Sequence, residues 1–306
     1  MKTRPALAAA AALLLAALPL RAQTPAAAAP PAQPSPLEQV LALGLDSLAG
    51  PLPVYHGAGQ RAHAAEVQAI LRQGARFFAD SLGLETPVRV ALLGKPEWER
   101  VSRIPYGVPY VQGGVVFLPA TPDGAIAEDF LRLEAGASEA ARARVAATGW
   151  SFAENARRMT DLIGYHELGH GYTTRYGIRP HARWLNELLA SYFAFAFLER
   201  TSPRLALAWE AMLRAKLDGP APAHTSLDDF ERLYIGVGPE NYNWYQAALG
   251  VRAAELFRAE GLGFLARVRE RFPAGPGEPL PSAAVLERLE EIRPGFRAWG
   301  GNIAPR

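Results

Sequence analysis

The stretch "GYHELGHGY", residues 164–172, contains two histidines four positions apart and a glutamate directly after the first. On a helix, residues i and i+4 lie about 40° apart around the axis, so His166 and His170 project from one face and can share one ion. Glu167 lies about 100° further round, within reach of a water at an open coordination position. The spacing is the H-E-x-x-H pattern, which is typical of a zinc site whose glutamate acts as a general base.

A second signal is required, because a catalytic zinc takes three protein ligands and keeps a fourth position open. One known pattern places a further histidine six residues after the second, but position 176 of this chain is a tyrosine. A nearby aspartate ligand is also excluded, because the first aspartate after His170 is Asp218. The acids between these two residues are Glu187, Glu199 and Glu210.

Glu187 is the predicted third ligand, because among these acids it alone lies early on the next predicted helix. Its neighbours are leucines, and a carboxylate is costly to bury among leucines unless a partner such as a metal neutralises it. His181, which follows Pro180 in the connecting loop, is the competing ligand. The residues therefore predict His166, His170 and Glu187 as zinc ligands.

The amino-terminal residues have the composition of a targeting segment followed by a tether. Residues 1–22 begin with Lys2 and Arg4, continue with an apolar run and end on Ala22. This arrangement predicts a secretory signal peptide, because the run is shorter than the roughly 20 residues that cross a bilayer. Residues 23–36 are alanine and proline without charge, which predicts a linker.

Charge and cysteine usage exclude several classes of protein. The formal net charge is +2, and removal of residues 1–22, which hold three bases and no acid, leaves a charge near −1. A near-neutral chain without a basic block argues against nucleic acid as a partner. The absence of cysteine excludes disulfides and a lipid-modified cysteine but permits export.

Residue periodicity predicts a mixed region followed by a helical one. Apolar spacing of three and four predicts helices at 37–48, 62–82 and 183–200, and Ser151 and Glu154 form a capping-box pattern for a helix that carries HELGH. Residues 86–94 predict a strand, and 108–118 predict an antiparallel hairpin around Gln-Gly-Gly. The fold class is therefore α+β, in which residues 37–180 form an α/β part and residues 181–306 a helical part.

The two central motifs resemble those of a known group. "HELGH", with sixteen residues between His170 and Glu187, and "WLNELLASY", residues 184–192, resemble the gluzincin metallopeptidases. The second motif resembles the "WLNEGFASY" signature of the M1 aminopeptidase family and of peptidase MA-like domains. Residues 241–257, "NYNWYQAALGVRAAELF", are similar to the stretch in which those families carry a tyrosine at a helix start. The resemblance covers residues 163–272.

The resemblance implies a zincin-like, thermolysin-like catalytic domain with a small N-terminal mixed sheet and a helical C-terminal part. It implies Glu167 as general base and Tyr245 as donor to the oxyanion, with Tyr242 as an alternative; either tyrosine could equally be a core aromatic. It also implies that the strand following the hairpin turn lies at the sheet edge and binds an extended substrate, with contacts from Gly113, Gly114, Val115 and Val116. No "GAMEN" motif precedes the site, which argues against an aminopeptidase.

Together these features predict an exported, periplasmic or secreted, zinc metallopeptidase that acts on peptide or protein substrates. We expect no nucleic-acid partner and no membrane span after signal cleavage. The alternatives are a binding or scaffold protein of the cell envelope that keeps the zincin fold without hydrolysis, and a helical envelope protein in which the motif is accidental.

Overall fold

The structure, a computed structural model, describes residues 34–85 and 88–304. Within these residues the architecture is α+β, with a small mixed sheet followed by a helical region. The predicted signal peptide, residues 1–22, and most of the predicted linker, residues 23–36, lie outside the described residues. No helix in the described part of the chain combines the length and the apolar composition needed to cross a bilayer.

The helices and strands alternate only in the first half of the chain. The strands are β1 (Asp46–Leu48), β2 (Val54–His56), β3 (Arg89–Leu93), β4 (Tyr110–Gln112) and β5 (Val115–Pro119). The helices are α1 (Pro36–Leu41), α2 (Arg61–Leu82), α3 (Lys95–Val101), α4 (Ala125–Gly136), α5 (Glu139–Ala146), α6 (Phe152–Arg175), α7 (Arg183–Thr201), α8 (Pro203–Leu217), α9 (Leu227–Leu233), α10 (Pro239–Glu260), α11 (Gly263–Arg271), α12 (Ser282–Ile292) and α13 (Phe296–Gly301). A 3₁₀ turn, Tyr234–Val237, joins α9 to α10.

The sheet has the strand order β1-β2-β3-β5-β4. Strands β2, β3 and β5 are parallel, and the outer strands β1 and β4 run antiparallel to their neighbours. Along β3, Val90 and Leu92 face the main core, whereas Ala91 and Leu93 face a smaller cluster that includes Trp98 of α3. The alternation shows that the sheet is covered on both faces.

The predicted hairpin is confirmed, but the strand after its turn does not lie at the sheet edge, where it was expected. Strand β4 pairs with β5 in antiparallel register, Gln112 opposite Val115, around the turn at Gly113 and Gly114. Strand β5 has β3 on its other side, so its backbone groups are used in the sheet, and Val115 and Val116 are buried. The edge that an added peptide could join is that of β4. The sequence patterns of the two strands do not reveal which of them is outermost.

The predicted helix at 37–48 is shorter than expected. A capping box formed by Ser35 and Glu38 starts α1 at Pro36, so this helix begins inside the predicted linker. The helix ends at Leu41, and Gly44 adopts a left-handed conformation before β1 begins. Leu48 then pairs with Val54 of β2. Pairing with a strand therefore overrides the helical spacing of these residues.

The two helices of the central motifs have the predicted limits. The Ser151–Glu154 capping box starts α6, and α7 begins at Arg183. They pack so closely that a β-carbon on Gly169 would lie 2.2 Å from the carbonyl oxygen of Ala190. Gly164 similarly faces Leu118 of β5. The glycines at 164 and 169 therefore permit close packing of α6 against its neighbours, rather than marking a frayed helix end.

Candidate metal centre

Helices α6 and α7 bring the predicted ligands together. The Nε2 of His166 lies 3.1 Å from Oε2 of Glu187, and the Nε2 of His170 lies 3.6 Å from the same oxygen. The two imidazole centres are 4.9 Å apart. His166 and Glu187 are 5% and 3% exposed, so the cluster is shielded from solvent. Residues that are remote in sequence thus present two ring nitrogens and one carboxylate oxygen to a common point.

These distances fit a shared metal ion. Ligand atoms about 2.0–2.1 Å from a tetrahedral ion are separated from one another by about 3.3–3.4 Å. The observed separations of 3.1 and 3.6 Å bracket that value. Two imidazoles and one carboxylate are also a donor set that zinc uses in hydrolytic sites.

The second nitrogen of each imidazole has a fixed partner. The Nδ1 of His166 lies 2.9 Å from the hydroxyl of Ser191, and the Nδ1 of His170 lies 3.0 Å from the side-chain amide of Asn186. Both partners lie on α7, next to Glu187 or one turn after it. Such contacts set the ring orientation and direct each Nε2 at the cluster. Ser191 fills the place four residues after Glu187 where some gluzincins carry an aspartate.

The Glu187 carboxylate is held from the opposite side by later parts of the chain. The hydroxyl of Tyr234 donates to Oε1 at 2.9 Å, and Nε2 of Gln246 donates to Oε2 at 2.9 Å. The same Gln246 nitrogen also donates to the hydroxyl of Tyr242 at 2.8 Å. Tyr234, Gln246 and Asn186 were not predicted as site residues. Asn186 precedes Glu187 within "WLNELLASY" and Gln246 lies in the 241–257 stretch, whereas Tyr234 lies in neither.

The second carboxylate, Glu167, lies beside the histidines rather than between them. Its ligand oxygen and the ring nitrogens of His166 and His170 all fall within 4.8 Å of one another, so these three residues also form a possible metal-binding group. We assign the third ligand position to Glu187, because its oxygen contacts both Nε2 atoms. Glu167 instead accepts a 3.1 Å hydrogen bond from the backbone N–H of Val111 in β4.

Burial and charge set the proton affinities of the cluster. Burial raises the pKa of Glu167 above its usual range, against the opposing effects of His166 and His170. For Glu187, burial also favours the neutral acid, but hydrogen bonds and charge from the two histidines hold its pKa well below the usual range. Burial disfavours protonated His170, yet its contact with Glu187 raises the pKa to about 9.

Three tyrosines, Tyr234, Tyr242 and Tyr245, differ in their position relative to the histidines and Glu187. Tyr245 is fully buried, and its hydroxyl donates to the backbone carbonyl of Ser226 at 2.7 Å, as expected of a core tyrosine. Tyr242 and Tyr234 line the cavity that contains the cluster, whereas Tyr245 is not among its lining residues. Tyr234 contacts Glu187 directly. The structure therefore places Tyr234, and not Tyr245, beside the candidate metal ligands.

His181, the competing ligand, lies elsewhere. Its Nδ1 is 2.9 Å from the backbone carbonyl of Glu278, and its φ of 58° places it in the left-handed region. This contact fixes the loop between α6 and α7 against the segment that precedes α12. The geometry thus gives His181 a structural role.

The cluster opens into a cavity of about 1000 Å³ between the sheet edge and the helical region. Tyr110 of β4 contributes to one wall, and α4, α8 and α10 contribute to the others. Apolar side chains provide much of its lining, including Phe130 and Trp209. A large, mostly apolar cleft with a few convergent polar groups has the character of a ligand site.

No protein-family model matches this chain, and a search of curated proteins finds no match either.

Proposed function

We propose that this chain is an exported zinc metallopeptidase of the gluzincin type. The observation that carries the proposal is the convergence of His166, His170 and Glu187 at one point, with Glu167 beside them, in a cleft next to an antiparallel sheet edge. A sheet followed by the HELGH helix and then by the glutamate helix is the order expected of a thermolysin-like zincin. Export is proposed from the composition of residues 1–22 alone.

His166, His170 and Glu187 would hold the zinc. When bound, zinc would polarise the scissile carbonyl and lower the pKa of a coordinated water. Glu167 accepts the proton of the attacking water and delivers it to the leaving amine nitrogen, a role that suits a carboxylate whose pKa is raised by burial. Tyr234 has a pKa raised by burial and by the Glu187 charge, so its phenol stays protonated. Its one proton, bonded to Glu187 in this structure, would turn to the developing oxyanion.

Strand β4 offers a place for the substrate backbone. Its residues Tyr110–Gln112 pair with β5 on one side only, and Tyr110 lines the cavity. An extended peptide that joins this edge as an added strand would take the outward N–H of Val111 from Glu167, and it would therefore pass the candidate metal ligands. The edge strand and the catalytic glutamate are thus adjacent.

The proposal is tested by separating metal binding from chemistry. We expect the purified protein to hydrolyse peptides from a broad library and to lose that activity when chelated. Glu167→Gln should retain zinc and lower kcat by about 10²–10⁴-fold, because an amide cannot accept the proton. Glu270→Gln, the same change at an exposed position of α11, is the matched control and should remain active.

Undiminished turnover by Glu167→Gln would contradict the assigned base. A wild-type protein that binds zinc but cleaves no library peptide would instead favour the non-hydrolytic scaffold. Zinc-free protein after reconstitution would favour an accidental motif.

A further inference from the structure

The cavity contains a second polar group, away from the metal-binding residues. Lys216 of α8 is 8% exposed, and its Nζ lies 3.1 and 3.4 Å from the two carboxylate oxygens of Asp129 on α4. Asn243 of α10 donates to the same carboxylate at 3.0 Å, and Arg132 does so at 3.1 Å. All four residues line the cavity. A buried ion pair contributes little net stability, so stability alone does not explain why Lys216 and Asp129 lie on the wall of a cleft.

In this group the hydrogen bonds occupy the acceptor, Asp129, but leave N–H groups of the cation Lys216 available to a ligand. Asp129 receives bonds from three side chains, which use most of its acceptor capacity. Lys216 carries three N–H groups, and within the described residues Asp129 is its only side-chain partner. The Arg132 side chain is 68% exposed, so Lys216 is the buried cation of the group and the one that water does not screen. A carboxylate from a ligand is the complement of this arrangement.

The residue type at position 216 supports a specific role. The sequence contains 32 lysines and arginines, of which only Lys2, Lys95 and Lys216 are lysines. Of the two lysines in the described residues, Lys216 is buried and lines the cavity, whereas Lys95 is exposed and pairs with Glu99 on α3. Lysine presents a compact point charge with three rotatable donors, which suits a single carboxylate.

Helix α10 sets the distance between this group and the reaction centre. Asn243 contacts Asp129, and Gln246, three residues later, contacts Glu187. Residues i and i+3 on a helix are neighbours, with β-carbons about 5–6 Å apart. One turn of α10 therefore supports both the Asp129–Lys216 group and the Glu187 cluster, and the two groups line the same cavity.

We propose that Lys216, held by Asp129 and Asn243, forms a subsite that binds a carboxylate of the peptide substrate close to the scissile bond. The inference rests on the proposed peptidase function and adds a substrate class to it. The carboxylate comes from an aspartate or glutamate side chain or from the free C-terminus of the substrate. Glu128 and Glu240 also line the cavity, but they are exposed, so water screens their repulsion of such a ligand.

Matched peptides provide the first test, and it needs no substitution. Peptides that carry glutamate, glutamine or lysine at each position around the cleaved bond are compared for kcat/KM with the wild-type enzyme, each as the free acid and as the C-terminal amide. We expect a preference of about 10-fold or more for glutamate over glutamine at one position, or for the free acid over the amide, as for a charge-assisted hydrogen bond in a desolvated site. The first pattern identifies a side-chain source and the second a terminal one.

Substitutions then connect the preference to the lysine. Lys216→Met should abolish the ratio between the paired peptides while zinc content is kept, and Lys95→Met, an exposed control outside the cavity, should leave the ratio unchanged. Asn243→Asp gives a second variant at a half-buried position, where the new anion competes for Lys216 and should reduce the ratio. A purely structural ion pair would change stability without changing this ratio.

A binding measurement keeps this inference separate from the proposed function. Calorimetry with Glu167→Gln and the same peptides reports carboxylate preference without turnover, so a chain that hydrolyses nothing still yields an answer. A wild-type enzyme that cleaves peptides without a preference for a carboxylate would overturn the subsite and leave the peptidase intact. A preference for lysine, or a carboxylate preference that persists in Lys216→Met, would also overturn it.

Discussion

At the scale of single residues, Tyr234 has an unusual backbone. Its φ of 49° and ψ of −122° lie where glycine is favoured and a tyrosine is strained. The ring packs against Phe230 and Tyr242, and the hydroxyl is bonded to Glu187. These contacts hold a side chain in the cavity at a conformational cost of about 1–3 kcal/mol. No motif marks Tyr234 in the sequence, because its role depends on contacts with residues remote along the chain.

We expect Tyr234→Phe to lower kcat by about 10²-fold with a small change in KM, because its hydroxyl acts on the transition state. Tyr245→Phe is the matched control. That change removes a bond to a backbone carbonyl and should cost about 1 kcal/mol of stability without slowing turnover. Steady-state kinetics and thermal melting distinguish the two. A slow Tyr245→Phe beside a fully active Tyr234→Phe would restore the role that the sequence resemblance assigned.

At the scale of elements, the contact between α6 and α7 determines where the metal-binding residues lie. Gly169 is one residue before His170, and its backbone partner Ala190 lies between Glu187 and Ser191. The closest approach of the helices is therefore at the level of the cluster. A change in their separation would move the histidines relative to the carboxylate.

Gly169→Ala should destabilise the protein by about 1–3 kcal/mol and weaken zinc binding, because the added methyl meets a backbone carbonyl that cannot rotate away. Gly136→Ala, at the end of α4 with no atom within 4 Å of the added methyl, should be neutral or slightly stabilising. Chemical denaturation and zinc titration measure both. If the two variants had equal stability and equal zinc affinity, α6 and α7 would be able to move apart without a loss of folding free energy.

Elements with strong local signals were predicted from the sequence, whereas elements defined by tertiary contacts were not. Helices α6 and α7, their limits and the hairpin were predicted, since capping residues and apolar spacing are local signals. The HELGH spacing and the position of Glu187 likewise led to three residues that the structure brings together. Strands β1 and β2 were not predicted, because three residues are too short for a periodic signal. The placement of β5 inside β4 in the sheet was also not predicted, because it depends on pairing with β3, which is remote in sequence. Lys216 and Asp129 are 87 residues apart, which no local pattern can connect.

At the scale of the whole molecule, the cluster links the sheet to three parts of the helical region. Val111 comes from β4, the histidines from α6 and Glu187 from α7. Tyr234 and Gln246 come from the 3₁₀ turn and from α10. A ligand bound at this junction contacts residues from most of the chain, so its binding is expected to stabilise the fold as a unit.

Zinc at about 100 times its dissociation constant should stabilise the protein by about 2.7 kcal/mol. For a unit of this size the gain corresponds to a rise of roughly 5–10 °C in Tm. Differential scanning calorimetry with zinc and with a chelator measures the difference. His170→Ala should melt at the same temperature in both conditions. Identical wild-type curves would show that the cluster binds no metal with useful affinity.

The bonds that hold Glu187 also have a consequence for the growing chain. Tyr234 is synthesised 47 residues after Glu187, and Gln246 is synthesised 59 residues after it. At about 5–20 residues per second, translation reaches Gln246 roughly 3–12 seconds after Glu187 has been added. During that interval the nascent chain contains both histidines and both glutamates but not the donors that fix their geometry. The proposed hydrolytic site is therefore completed late in biosynthesis, when most of the polypeptide that it might otherwise attack has already been made and can fold around it.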